Sequence, residues 1–256
     1  MAWIGAFAIG LSLGLLGSGG SILTVPVLIY LVGVPEKTAI AESLAIVGLI
    51  ALAGAIPKWR RGLVDGRNVL LFGLPGMVGA YLGAWSAAFV SGEFQLVLFA
   101  VIMFVAAFLM MRPPKLENPD EDAAAPRAAM RIVIDGLIVG AVTGLVGVGG
   151  GFLIVPALVL LGGLPMHRAI GTSLAIIALK SATGFAKYSQ VLAELDIHMD
   201  WVRIVLFSVI GFGGSLLGGA LASRLPRATL QRGFGGFLLL MGGFILVQYG
   251  PKMVGG

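Results

Sequence analysis

Gly14-Leu15-Leu16-Gly17-Ser18-Gly19-Gly20-Ser21-Ile22-Leu23-Thr24-Val25-Pro26 is the stretch whose reading decides the fold. It returns later in the chain as Gly144-Leu145-Val146-Gly147-Val148-Gly149-Gly150-Gly151-Phe152-Leu153-Ile154-Val155-Pro156. Each copy is a glycine cluster between apolar runs. Glycine is entropically costly inside a helix and takes positive φ readily, so each cluster is expected to break a helix into two short halves.

The rest of the chain says which solvent those halves sit in. Of 256 residues, 58% are hydrophobic and 11% charged, against about 25% charged in a soluble domain. Several segments run for about 18 or more residues without a charge, the length that crosses a hydrocarbon core of about 30 Å. The expectation is an all-α integral membrane protein. With 0 cysteines and 2 histidines, disulfides and thiolate metal sites are excluded and a zinc cluster is not expected. No cofactor is implied. The net charge of +5 suits the enrichment of Lys and Arg in cytoplasmic loops, so nucleic acid is not an expected partner and the lipid bilayer is. Met1-Ala2-Trp3 lacks a basic n-region, and the first apolar run reads as a retained helix.

Shifting the sequence by 130 positions, Gly14 onto Gly144, exposes an internal repeat. Gly10, Gly17, Gly19, Gly20, Val25 and Pro26 fall on Gly140, Gly147, Gly149, Gly150, Val155 and Pro156, and Gly33, Pro35, Ser43 and Leu44 fall on Gly163, Pro165, Ser173 and Leu174. Later the offset becomes 135, where Asp65, Gly76, Gly79 and Gly83 meet Asp200, Gly211, Gly214 and Gly218. Residues 1–111 form the first membrane repeat, 112–130 a polar linker and 131–256 the second repeat. In the first, halves at 2–16 and 22–33 precede spans at about 38–57, 68–90 and 94–111. In the second, halves at about 132–146 and 152–163 precede spans at about 168–188, 202–223 and 229–248. Gly76, Gly79 and Gly83 sit at helical spacing and permit close helix approach, within the chain or in a homodimer.

Topology depends on the broken segments. If each is re-entrant, every repeat crosses three times and the repeats are inverted. Lys58, Arg60, Arg61, Arg67, Arg112, Lys115, Arg127, Arg131, Arg168, Arg224, Arg227 and Arg232 then share the cytoplasmic side, against Lys37, Lys187, Arg203 and Lys252. If each crosses once, the repeats are parallel and the charge bias hardly weakens. Inversion is favoured, because broken helices at corresponding places of inverted halves are a recurrent way of building a transport site.

A half-helix that begins at Ser21 or Gly151 carries free backbone N–H groups and the positive end of its dipole into the membrane, which suits an anion. The substrate-binding candidates are therefore Gly17, Ser18, Gly19, Gly20, Ser21, Gly147, Gly149, Gly150 and Gly151, with hydroxyls from Thr172 and Ser173. Lys180 is the only basic residue deep in an expected span, where a charge is costly unless it faces a cavity or a partner, and it is expected to face the substrate path. Glu42, opposite Thr172 in the repeat, is a candidate for a coupling proton or a first-turn helix acid. Asp65, Asp135 and Asp200 are expected to cap or flank helices. No nucleophile-base pair or metal cluster points to an enzyme.

The two clusters with their Val-Pro, the Ala169-Ile170-Gly171-Thr172-Ser173-Leu174 segment, Lys180-Ser181-Ala182-Thr183-Gly184-Phe185 and Asp200-Trp201 resemble the TauE/SafE family of sulfite and organosulfonate exporters. The resemblance covers nearly the whole chain. It implies a multi-pass permease of a prokaryotic plasma membrane, moving small sulfur-containing anions by alternating access, with a passive anion channel or a permease for another organic anion as the other readings. Ala41-Glu42-Ser43 stands where the second repeat has Gly171-Thr172-Ser173. That acid argues against a simple symmetric anion cradle.

Overall fold

The computed structural model describes residues 2–87, 92–111, 129–146, 151–194 and 198–254. All regular structure among them is helical. In chain order, α1 is Ala2–Leu16, α2 Gly19–Pro26, π1 Val27–Val32, α3 Glu36–Arg60, α4 Gly66–Ala87 and α5 Gly92–Met111. The second half continues as α6 Ala129–Val146, α7 Gly151–Pro156, π2 Ala157–Leu161, α8 Met166–Glu194, α9 Trp201–Arg224 and α10 Arg227–Val254.

The first break falls where the glycines are. Gly17 takes φ 80° and ends α1, its N–H bonded to the Leu13 carbonyl at 2.8 Å. The chain then folds back: Gly19 packs against Ser12 and Leu16, Gly20 against Ile9 and Leu13, and Gly5 against Val27 and Leu31. Residue numbers fall on one side as they rise on the other, so α1 and α2–π1 form an antiparallel hairpin. Pro26 has no N–H for the helix ladder, and the turn after it widens into π geometry. Pro156 does the same before π2. Gly33 at φ 79° then closes π1, with Val34 N–H donating to Leu28 O at 3.0 Å; at the equivalent place Leu164 N–H donates to Leu158 O at 2.9 Å.

Among the described residues, three helical segments, Thr38–Arg60, Met166–Ala186 and Trp201–Arg224, are long and apolar enough to cross a bilayer. The hairpin arms Ala2–Leu16 and Gly19–Val32 are apolar but short, roughly 21–23 Å at 1.5 Å per residue. The surface is apolar as well: on α4, Leu70, Leu74, Val78, Tyr81 and Trp85 form an exposed stripe. A stripe of that kind is tolerable in lipid and not in water. The protein is an integral membrane protein.

Glycines on the opposite face of the same helices make the tightest seams. On α4, Gly79 faces the Leu137 carbonyl and Gly83 the Ala141 carbonyl of α6. On α9, Gly214 faces the Phe7 carbonyl and Gly218 the Leu11 carbonyl of α1. In both seams residue numbers rise together, so the paired helices run parallel. By contrast α3 and α8 run antiparallel, with Leu44 at Gly184, Gly48 at Ser181, Gly54 at Leu174 and Leu63 at Gly171. Helices α5 and α10 are antiparallel too, Gly235 lying at Met111 and Gly242 at Phe104.

Candidate functional site

The first glycine break is pinned from across the chain. Ser173 Oγ donates to the Gly17 carbonyl at 2.9 Å and is within the same distance of Ile170 O, tying α8 to the break. Ser21 Oγ donates to Ser18 O at 2.7 Å. Ser18, at the N-cap of α2, makes no capping bond; its hydroxyl is fully buried and, among the described residues, without a hydrogen-bond partner. Ser12 and Ser215 Oγ share that condition, and they flank the same region, Ser12 against Gly19 and Ser215 against Gly14 and Gly54. A buried hydroxyl without a partner is uncommon enough to require an explanation.

The start of the second half-helix meets the first. A Cβ at Gly151 would stand 2.5 Å from Ser21 Oγ and 3.2 Å from Ile177 Cδ1, so α2, α7 and α8 converge there. Gly147, Gly149 and Gly150 lie outside the described residues. Ser173, Ile177 and Lys180 fall at i, i+4 and i+7 on α8, one face of a helix. The first two touch the breaks, and Lys180 continues their stripe. It is half-buried and has no carboxylate partner among the described residues.

Lys58, which the sequence groups with Arg60 and Arg61 on the cytoplasmic side, is a second inward cation: its Nζ lies 3.9 Å from where a Cβ of Gly219 would stand, and its stem packs at Gly171. It is turned inward between α8 and α9. No anionic partner holds it among the described residues. The only signal was position, one residue before an aromatic whose side chain takes the outer face.

Glu42 and Thr172 turn out to be joints. Glu42 is 0% exposed, in the second turn of α3 and not the first. Arg203 clamps it through Nε to Oε2 at 2.6 Å and Nη2 to Oε1 at 2.7 Å, and Asp200 N–H donates to Oε1 at 3.0 Å. Both carboxylate oxygens are thus engaged, and the pair latches α3 to the start of α9. At the equivalent place Asp65 N–H donates to Thr172 Oγ1 at 2.9 Å, with Arg168 3.8 Å from Asp65. Thr172 and Ser173 thus spend their oxygens on the protein itself. Asp65 and Asp200 do cap: Asn68 N–H donates to Asp65 Oδ1 at 3.1 Å and Arg203 N–H to Asp200 Oδ1 at 3.0 Å. Asp135 lies inside α6. Among the described residues no acidic or histidine cluster could hold a metal ion.

Comparison with known proteins agrees with this membrane architecture. The family model described as sulfite exporter TauE/SafE matches residues 2–245. A probable membrane transporter protein of Xylella fastidiosa (strain 9a5c) is 34% identical over 253 residues, covering 96% of this chain and 94% of the relative. The probable membrane transporter protein YdhB of Bacillus subtilis is 26% identical over 229 residues, covering 88% and 91%. One of Methanocaldococcus jannaschii is 24% identical over 253 residues, covering 94% and 92%. With a glycine-broken hairpin at its start, helices long and apolar enough to cross a membrane and a family match from the first helix into the last, this chain belongs to the sulfite exporter TauE/SafE family.

Proposed function

We propose that this membrane transporter is a secondary carrier that exports small sulfur-containing anions, such as sulfite or organosulfonates, across the plasma membrane of a prokaryote. The observation that carries the reading is the meeting of the two half-helix starts at Ser21 and Gly151, beside the unpartnered Ser18 hydroxyl and on the stripe of α8 that ends in Lys180. Helix N-termini, a free hydroxyl and an unpaired ammonium are the donor set that an oxyanion requires. Lys58 supplies a second inward cation nearer the Arg60 end. An ionisable group inside a membrane span marks a substrate path by default.

The carrier works as two inverted repeats that rock about this site. In support, corresponding helices α3 and α8 are antiparallel, as are α5 and α10, while α1 pairs with α9 as α6 pairs with α4. Both re-entrant hairpins then enter from opposite sides. The basic ends of α3 and α9 and the start of α6 share the cytoplasmic face by the positive-inside rule.

Purified protein in liposomes tests the function. Saturable counterflow of radiolabelled sulfite or an organosulfonate, lost in Lys180→Ala and absent for chloride, supports the carrier. A sustained single-channel conductance indicates a passive channel, and no flux of any sulfur anion rejects the substrate class.

A further inference from the structure

A cavity of about 620 Å³ opens on the outer side of the α3–α8 pair, away from the glycine breaks. Its walls include Leu49 and Ile56 of α3 and Leu179 and Phe185 of α8, with Val69 of α4 and Ile204 of α9 at its flanks. Ser181 supplies its single side-chain hydroxyl. Any polar solute seated there would lose its hydration without replacement bonds. The cavity runs along α3 from Leu44 to Trp59, roughly 22 Å at 1.5 Å per residue, which is more than the depth of one leaflet of a core of about 30 Å. Its size lies within the range of about 300–1,000 Å³ that buries a small ligand, which is room for an acyl chain and not for a folded protein element.

Its two ends differ in charge. At one end Trp201 lines the wall and the nearby Arg203 is already committed to Glu42. At the other, Trp59 lines the wall and is followed directly by Arg60 and Arg61. Both arginines are exposed, and neither has a carboxylate partner among the described residues. Exposed tryptophans at both ends suit the two membrane–water boundaries, so these guanidinium groups stand at headgroup level beside the mouth of an acyl-sized groove.

We propose that this groove is a binding site for an anionic phospholipid of the leaflet at the Arg60 end, with an acyl chain along α3 and α8 and the phosphate on Arg60 and Arg61. The proposal is independent of the transported solute. It is tested by native mass spectrometry of the delipidated full chain titrated with palmitoyl-oleoyl phosphatidylglycerol or with phosphatidylcholine of the same chains. The expected result is preferential retention of one phosphatidylglycerol. Arg60→Gln with Arg61→Gln should lower that preference about fivefold for each charge removed. Ala182→Phe, which fills the groove from an exposed wall position, should abolish retention of both lipids while leaving the unfolding temperature within a few degrees of wild type. Equal retention of the two lipids by the wild type, or a preference untouched by the arginine changes, overturns the proposal. So does a dimer that Ala182→Phe dissociates, which would assign the groove to a second copy.

Discussion

Removing the Glu42 carboxylate strips the Arg203 guanidinium of both its short hydrogen bonds and the Asp200 N–H of its acceptor. Breaking a buried pair by deleting one partner costs about 3–5 kcal/mol. Because Arg203 is 23% exposed and Glu42 0%, Glu42→Ala should fall at the low end and Arg203→Ala at the high end. Unfolding in detergent checks the order, and equal small losses would deny the latch. Ser173→Ala should cost about 1–2 kcal/mol by leaving the buried Gly17 carbonyl without its donor. Lys180→Ala should behave differently, leaving stability nearly unchanged in the absence of substrate. If the proposed substrate class is right, a sulfur oxyanion at 100 times its Kd should stabilise the wild type by about 2.7 kcal/mol, and that increment should vanish in the variant. The place of Lys180 inside an apolar helix was legible, because a lone charge in an apolar run is a local pattern. Glu42 was not, because its partner lies 161 residues away.

At the scale of elements, the seams α4–α6 and α1–α9 depend on glycine as a missing side chain. A methyl at Gly214 would collide with the Phe7 carbonyl and Leu11 N, whereas one at Gly213 meets nothing within 4 Å. Gly214→Ala should therefore destabilise by about 1–3 kcal/mol. Gly213→Ala should be neutral or stabilise by up to about 1 kcal/mol through helix propensity. Paired unfolding measurements decide it, and similar effects at both positions would show that α1 and α9 can separate without cost. The first helix break, the spacing of the glycines and most helix limits were readable, since each rests on local chemistry; α8 and α10 run on to Glu194 and Val254, past the expected ends at 188 and 248. Which helix each glycine stripe packs against was not, because small residues specify a close approach without specifying a partner.

For the whole molecule, the two equivalent joints, from α3 to the start of α9 and from α8 to the start of α4, are chemically unequal. One is a buried bidentate ion pair; the other is a single hydrogen bond to Thr172 with an exposed 3.8 Å pair, Arg168–Asp65, worth about 1 kcal/mol or less for each part. In an alternating-access carrier the weaker end should open more often. The chain has 0 cysteines, so single cysteines report cleanly. Ala39 and Ala169 occupy equivalent places beside the two joints and are both 0% exposed. Ala169→Cys should react with a membrane-permeant maleimide faster than Ala39→Cys. Adding Glu42→Thr and Arg203→Asn, which copies the Thr172 and Asn68 end onto the other, should bring the rates together. Rates already equal in the otherwise unaltered chain would count against the asymmetry.

The sequence by itself determined the solvent, the helices and where the first of them breaks, because apolar content, glycine and proline act through neighbouring residues and the bilayer. Tertiary structure alone decided that Glu42 meets Arg203, that Thr172 meets Asp65, that Lys58 turns inward and that α3 and α8 lie antiparallel. Those pairings join residues more than a hundred positions apart. Their energies depend on burial and on geometry across the fold, which no local pattern encodes.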